Sequence, residues 1–184
     1  MKKIIISVLG KDRPGIIAAV TKTLFEQDCN IENVSQTILQ NEFSGIFISL
    51  VPESVQIDHL QEAFEKRLSR MGLFAFVKTL EPGRHKDSPV DSEPFVITTR
   101  GPDRKGLVAE ITEILARHRV NVTNLQAVFK GGADPNDNIM IYEVDIPSQI
   151  DRKVLAARLK AKAEELELEI SIQHKKIFEA INRV

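Results

Sequence analysis

The sequence predicts an α+β protein built from two ferredoxin-like βαββαβ sandwiches in tandem. Three observations carry that expectation. A segment repeats at an offset of 91 residues. Short β-branched runs alternate with stretches of helical spacing, in the order strand, helix, strand, strand, helix, strand. A stretch rich in proline, glycine and charge divides the two copies.

The repeat is clearest where Gly10-Lys11-Asp12-Arg13-Pro14-Gly15 matches Gly101-Pro102-Asp103-Arg104-Lys105-Gly106. From Gly10 to Val34, nine of 25 positions are identical to those 91 residues on. Apolar positions exchange like for like: Ile16 with Leu107, Ile17 with Val108, Val20 with Ile111, Ile31 with Val122. Later, Val51-Pro52 aligns with Ile146-Pro147 at an offset of 95, so the second copy carries a longer loop, residues 130–138. These matches define a first domain over 1–81, a linker over 82–92, a second domain over 93–175 and a tail over 176–184.

Lys3 to Leu9 is β-branched and apolar, which crowds a helix but suits a strand covered on both faces. Ile16, Ile17, Val20, Leu24 and Phe25 then form one helical stripe. Asp12 stands ready to cap that helix, and Pro14 lies near its first turn. Asn30 to Gln40 and Gly45 to Val51 read as a hairpin turning around Asn41 to Gly45. Leu60, Phe64, Leu68 and Met71 repeat at helical spacing, Gly72 is a stop, and Leu73 to Leu80 is the last strand. In the second copy the strands are Phe95 to Thr99, Val122 to Phe129, Ile139 to Ile146 and Leu168 to Ile172. Its helices carry Leu107, Val108, Ile111 and Leu115, then Leu155, Leu159, Ala163 and Leu166. This order predicts a four-stranded antiparallel sheet with both helices on one face. The other face must be solvated or covered; Ile177, Ile181 and Val184 form an apolar tail that could pack across it or fray.

Composition narrows the function. One cysteine, Cys29, excludes an internal disulfide and a thiolate-rich metal site, and suits a reducing cytoplasm. No apolar run is long enough for a membrane helix, and the amino terminus lacks the pattern of a secretory signal. The net charge is −1, with 11 basic and 12 acidic residues through Asp91 and 14 of each beyond. Neither half has the basic excess of an autonomous nucleic-acid binder, which leaves room for a regulator acting through a protein partner. The four histidines lack metal-ligand spacing, and no phosphate-cradling glycine motif is present. Aromatics are too few for an RNA-stacking sheet, and no paired-cysteine loop suits copper. Acylphosphatase-type chemistry at Arg13 is the remaining enzymatic alternative, without a matching turn motif. Cys29 aligns with Val120 and reads as a small apolar residue. The Gly131-Gly132 pair reads as part of a mobile loop able to act as a lid.

The repeated turn is the candidate site. Asp12 and Asp103 could accept from an ammonium group, and free helix amides beyond Gly15 and Gly106 could hold a carboxylate. Ile16 and Leu107 open the helices. Asn30, Asn33, Asn121 and Asn124 belong to the next strand, which the fold could bring near the turn, and their amides offer both donor and acceptor. A structural alternative stands beside each. Asp12 could be only a cap, Gly15 a packing or conformational glycine, and Asn30 a left-handed helix terminator. Arg13 and Arg104 read as solvated or paired with an acid.

Leu9 to Ile16 followed by Asn30-Ile31, and Gly101 to Leu107 followed by Asn121-Val122, resemble the start of an ACT domain twice over. A stand-alone pair is similar to the glycine cleavage system transcriptional repressor family. The resemblance implies a non-catalytic regulator that needs no cofactor or metal. Its ligand would be a small amino acid, glycine or serine-like, held where ACT domains meet. It also implies that the domains associate side by side or back to back, within the chain or across a homodimer, and that the protein acts through a transcription regulator or metabolic enzyme. The turn residues Asp12, Gly15, Asp103 and Gly106 and the strand-start Asn30 and Asn121 carry over; Lys105 departs from the motif's proline. The competing function is a ligand-free protein–protein interaction module.

Overall fold

The computed structural model describes residues 1–80, 91–129 and 138–181, without the side chains of 128, 129 and 181. The chain divides into two compact units, Met1–His85 and Lys86–Val184. The first holds β1 (Lys2–Lys11), α1 (Ile16–Phe25), β2 (Asn30–Leu39), β3 (Glu42–Val51), α2 (Ile57–Leu68) and β4 (Leu73–Thr79). The second holds β5 (Ser92–Gly101), α3 (Leu107–Arg117), β6 (Asn121–Phe129), β7 (Asn138–Pro147), α4 (Arg152–Glu165), β8 (Glu169–His174) and α5 (Lys175–Ile181). Each sheet is antiparallel between neighbours, in the orders β2-β3-β1-β4 and β6-β7-β5-β8. These are two tandem ferredoxin-like βαββαβ sandwiches.

Register fixes which ends meet. β1 pairs with β3 from Lys2↔Val51 to Lys11↔Glu42, and β2 pairs with β3 from Asn30↔Leu50 to Leu39↔Glu42. The first two strands therefore run parallel and finish together. Both β2 and β6 are bulged at the same place, between Ile31 and Asn33 and between Val122 and Asn124.

One face of each sheet meets the helices. In the first unit Ile4, Ile6, Val8, Phe43 and Phe47 pack under Ile16, Val20, Leu24, Leu60 and Phe64. In the second, Ile97, Tyr142 and Val144 pack under Ile111, Leu115, Leu155 and Leu159. β1 is thus covered on one face only: Ser7 and Leu9 are exposed, because a two-layer sandwich leaves the far side of its sheet bare. That open face is apolar in the first unit, where Leu9, Ile46, Phe74 and Phe76 are exposed. In the second unit α5 packs on β5 and β8, and Val96 beneath is buried. The Lys175 ammonium pairs with Glu143 of β7 at 2.6 Å.

Two expectations need correction. Phe25 is 80% exposed and Ile17 is exposed, so the α1 stripe is Ile16, Val20, Thr23 and Leu24. One hydrophobic helix face does not include every apolar residue, and β2 at the sheet edge offers α1 nothing to bury Phe25 against. The hairpin turns at Gln40 and Asn41, both left-handed (φ 48° and 68°), as tight hairpins require. Gly45 lies inside β3, where a Cβ would fall 2.7 Å from the Phe43 ring and 3.1 Å from Phe47. Of the expected loop over 130–138 and linker over 82–92, only Asn138, Asp91 and Ser92 are among the described residues, and Ser92 opens β5.

Candidate functional site

The end of β1 turns into α1 through Asp12 to Gly15. Gly15 is the residue before the helix, with φ 96°, and Gly106 repeats it with φ 91°. A Cβ on Gly15 would meet only Met71 Cε at 3.9 Å, and one on Gly106 would meet nothing within 4 Å. Glycine is required here by the left-handed backbone, not by crowding. The consequence is an open approach to the helix start.

No side chain caps α1 or α3, so Asp12 is not the cap that its position suggested. It lies three residues before Gly15, too early to reach the first amides. By contrast, the Asp151 carboxylate caps α4, accepting from Lys153 N at 2.9 Å and Val154 N at 3.2 Å. The first helical hydrogen bonds of α1 and α3 run from Ala19 to Gly15 and from Glu110 to Gly106. The amides of residues 16–18 and 107–109 precede those donors and face the turn.

The turn is held by its neighbours. The Asp12 amide donates to the Asn41 carbonyl of the hairpin at 2.7 Å. Arg13 donates to the Met71 carbonyl at 3.2 Å, and Arg104 pairs with Glu167. Both arginines therefore tie the turn to the connection that leads into the last strand, β4 or β8. Gly10 and Gly101 let that connection come close: a Cβ at either would lie 2.9 Å from the Gly72 carbonyl oxygen or 2.8 Å from that of Glu167. The Asp12 carboxylate is exposed and makes no side-chain bond among the described residues.

A cavity of about 210 Å³ sits at the first turn, lined by Asp12, Arg13, Gly15 to Ala18, Gln36, Ile38 and Phe43. It gathers Asp12, Gly15 and Ile16 as expected, with Ile16 buried as its core-side wall. It does not gather the asparagines. Asn30 pairs with Leu50, eight residues along β3 from Glu42, which is about 26 Å at strand spacing. It lines instead a wider, shallow hollow of about 620 Å³ with Ala18, Thr21, Lys22, Phe25, Cys29 and Ile31. Nor does Asn30 end the helix; Asp28 takes the left-handed conformation (φ 53°), as Arg119 does in the second unit (φ 54°). Asn121, opposite Asp145, occupies the equivalent end. Asn33 pairs with Ile48 and Asn124 with Glu143 on the open face of each sheet. Asn124 donates to Glu143 at 3.0 Å.

The sequence reading missed Gln36, Ile38 and Phe43, and in the second unit Asn138, which donates to Asp103 at 3.4 Å. The signal for them was present. In a βαββαβ order the helix carries the chain back, so the second strand starts at the far end and its last residues return to the turn. Burial, then the Asp28 charge, pushes the Cys29 thiol above its usual range, which suits a packed residue and not a nucleophile. Among the described residues no group of histidine, cysteine or acid side chains could hold a metal, and no helix is long and apolar enough to cross a membrane.

ACT domains are regulatory ligand-binding domains, and the ACT-domain family model matches residues 2–78 and 93–173 of this twice-repeated βαββαβ chain. The chain belongs to the ACT-domain family as a tandem pair. Among relatives, it is similar to the UPF0237 protein of Methanopyrus kandleri, 33% identical over 79 residues, 42% of this chain and 88% of that protein. It is also similar to the UPF0237 protein of Pyrobaculum aerophilum, 36% identical over 78 residues, 42% of this chain and 87% of that one. Among solved structures, an unknown protein from Galdieria sulphuraria shares the fold with a TM-score of 0.75 at 22% identity, over 94% of this chain and 98% of that one. A candidate glycine cleavage system transcriptional repressor does so with a TM-score of 0.69 at 18% identity, over 94% and 96%.

Proposed function

We propose that this chain is a non-catalytic amino-acid sensor that binds glycine or a serine-like amino acid at its β1–α1 and β5–α3 turns. The observation that carries the reading is that an Asp12 carboxylate with no side-chain bond among the described residues shares one small cavity with residues of the uncapped start of α1. A carboxylate accepts from an ammonium group while helix amides donate to a carboxylate, and a free amino acid carries both. Charge-assisted bonds offset by association entropy place the dissociation constant on the order of micromolar to millimolar. Binding would modulate amino-acid metabolism or its gene expression through a partner protein, in the cytoplasm and without a cofactor. Residues 1–81 and 93–175 would act as the two sensing domains, joined by 82–92, with 176–184 as a tail.

Asn30 enters through a second copy. β2 is an edge strand, exposed along nearly its whole length, and the Asp12 and Asn30 hollows lie at opposite ends of one α1–β2 groove. Two such edges related by a two-fold axis run antiparallel. That arrangement sets Asn30 of the partner subunit beside Asp12, and supports a homodimer whose sites are completed across its interface.

The test is a thermal-shift panel of the amino acids, with glycine first because one fold neighbour is named for glycine cleavage. A native-state ligand raises the melting temperature by mass action. No shift from any amino acid at high millimolar concentration would defeat the proposal. The exposed Leu9, Ile46, Phe74 and Phe76 favour the second reading, a ligand-free module whose sheet face binds another protein. Indifference to the panel together with partner capture abolished by Phe76→Lys would establish it.

A further inference from the structure

Between α1 and α2 of the first unit lies a hollow of about 300 Å³, larger than the 210 Å³ at the first turn. Thr23, Glu26 and Gln27 line it from the last turn of α1 and just beyond. Lys66 and Arg67 line it from α2, and Arg70 from the short 3₁₀ turn Ser69–Met71. One of these cations is held in place. Arg67 donates to the Thr23 hydroxyl at 3.1 Å and to the Glu26 carboxylate at 2.6 Å. Thr23 is 2% exposed, so the guanidinium is anchored against the core. Those bonds leave it N–H donors to spare. Lys66, Arg70 and the Gln27 side-chain amide make no hydrogen bond or ion pair among the described residues. Three cations against one carboxylate give the hollow a charge of +2.

The second unit shows that the fold does not demand this arrangement. Leu60, Phe64 and Leu68 of α2 and Leu155, Leu159 and Ala163 of α4 fill matching buried positions, 95 residues apart. At that offset Lys66, Arg67 and Arg70 become Ala161, Lys162 and Glu165. Ala19 and Lys22 of α1 become Glu110 and Glu113 of α3, 91 residues on. There Lys162 pairs with Glu110 and Glu165, and Arg117 with Glu113. A cation in the last turn also suits the carbonyl end of a helix. α4 meets that need with Lys162 alone, whereas the first unit adds Lys66 to Arg67 and sets Arg70 past the end of α2.

We propose that this hollow binds a phosphate dianion, free or as the ester of a small metabolite. Phosphate carries close to two negative charges at neutral pH and neutralises the site, which a monocarboxylate would leave half matched. Arg67 supplies a positioned guanidinium, Lys66 and Arg70 supply flexible charges, and Gln27 an amide donor. The hollow shares no lining residue with the cavity at the first turn, so it is a second ligand site and does not rest on the sensor reading.

Nuclear magnetic resonance titration of the full chain with inorganic phosphate and with glycerol 3-phosphate tests the proposal. The buffer is zwitterionic, the ionic strength constant, and sodium acetate the control. Both phosphates should produce saturable shifts at the Gln27 side-chain amide and the Arg67 Nε–H, and acetate should not. Tighter binding of glycerol 3-phosphate would assign an ester, and equal binding the free ion. Lys66→Gln combined with Arg70→Gln should weaken binding about tenfold or more. The melting temperature should hold, because both side chains are exposed. Equal responses to phosphate and acetate, shifts that never saturate, or an affinity untouched by the double variant would overturn the inference. Should the double variant melt lower, the unaltered chain decides: phosphate must move the Gln27 amide where acetate does not. Amino-acid binding at the first turn is read separately, so either proposal can fail alone.

Discussion

Asp12 and Asn30 occupy opposite ends of the first sheet, about 26 Å apart along it, although both resemble ligand contacts in the sequence. One molecule of a small amino acid cannot touch both within one domain. If both contribute, they do so from two subunits. Asp12→Ala and Asn30→Ala should each remove the first-domain sites in calorimetric titration. After subunit exchange, an equal mixture should regain about a quarter of them, because half the dimers are mixed and each holds one intact site. Absence of any regain would confine Asn30 to a local role.

Gly15 and Gly106 stand in open space with left-handed backbones. Alanine there should cost about 1–2 kcal/mol through strain alone, a melting-temperature drop of roughly 4–16 °C. Gly45→Ala should cost more, since its Cβ would strike two buried phenylalanine rings whose positions the core fixes. Equal losses from Gly15→Ala and Gly45→Ala in denaturant unfolding would contradict this ordering.

The Glu143 carboxyl is held below the usual range by hydrogen bonds from Asn124 and Lys175 and by the Lys175 charge. A depressed carboxylate contributes stability above its unfolded pKa, about 4.3, and loses it as pH falls through the lower folded value. Amide exchange in α5 should therefore accelerate as pH drops below about 4, after correction for intrinsic rates. In Glu143→Gln that acid-dependent step should vanish, with α5 already looser at neutral pH.

Burial raises the Tyr142 hydroxyl above the ordinary tyrosine range. The neutral form is favoured in the fold, so this contribution is complete below pH about 10 and declines as pH climbs through the folded value. Ultraviolet difference titration should show the sole tyrosine resisting ionisation until the second domain unfolds. A reversible phenolate signal near pH 10 with helical circular dichroism intact would contradict it.

Much of the fold could be read because the strands and helices use different periods. Leu60, Phe64 and Leu68 predicted α2, and all three are buried. Reading by composition failed where burial depends on neighbours. Phe25 and Ile17 look like core residues, yet α1 lies beside an exposed edge strand, and Phe74 and Phe76 line a face that no described residue of the first unit covers. Asp12 looked like a helix cap until Gly15 proved to be the residue that opens α1.

The sequence alone determined the duplication, the βαββαβ order of each copy and the glycine at each turn, since these depend on local spacing and on the backbone freedom of single residues. Tertiary structure alone decided which side chains share a site. Gln36, Ile38 and Phe43 reach the first turn, and Asn138 reaches Asp103, because strand register brings distant residues together. Register follows from how whole strands bury one face at once, so no short motif records it.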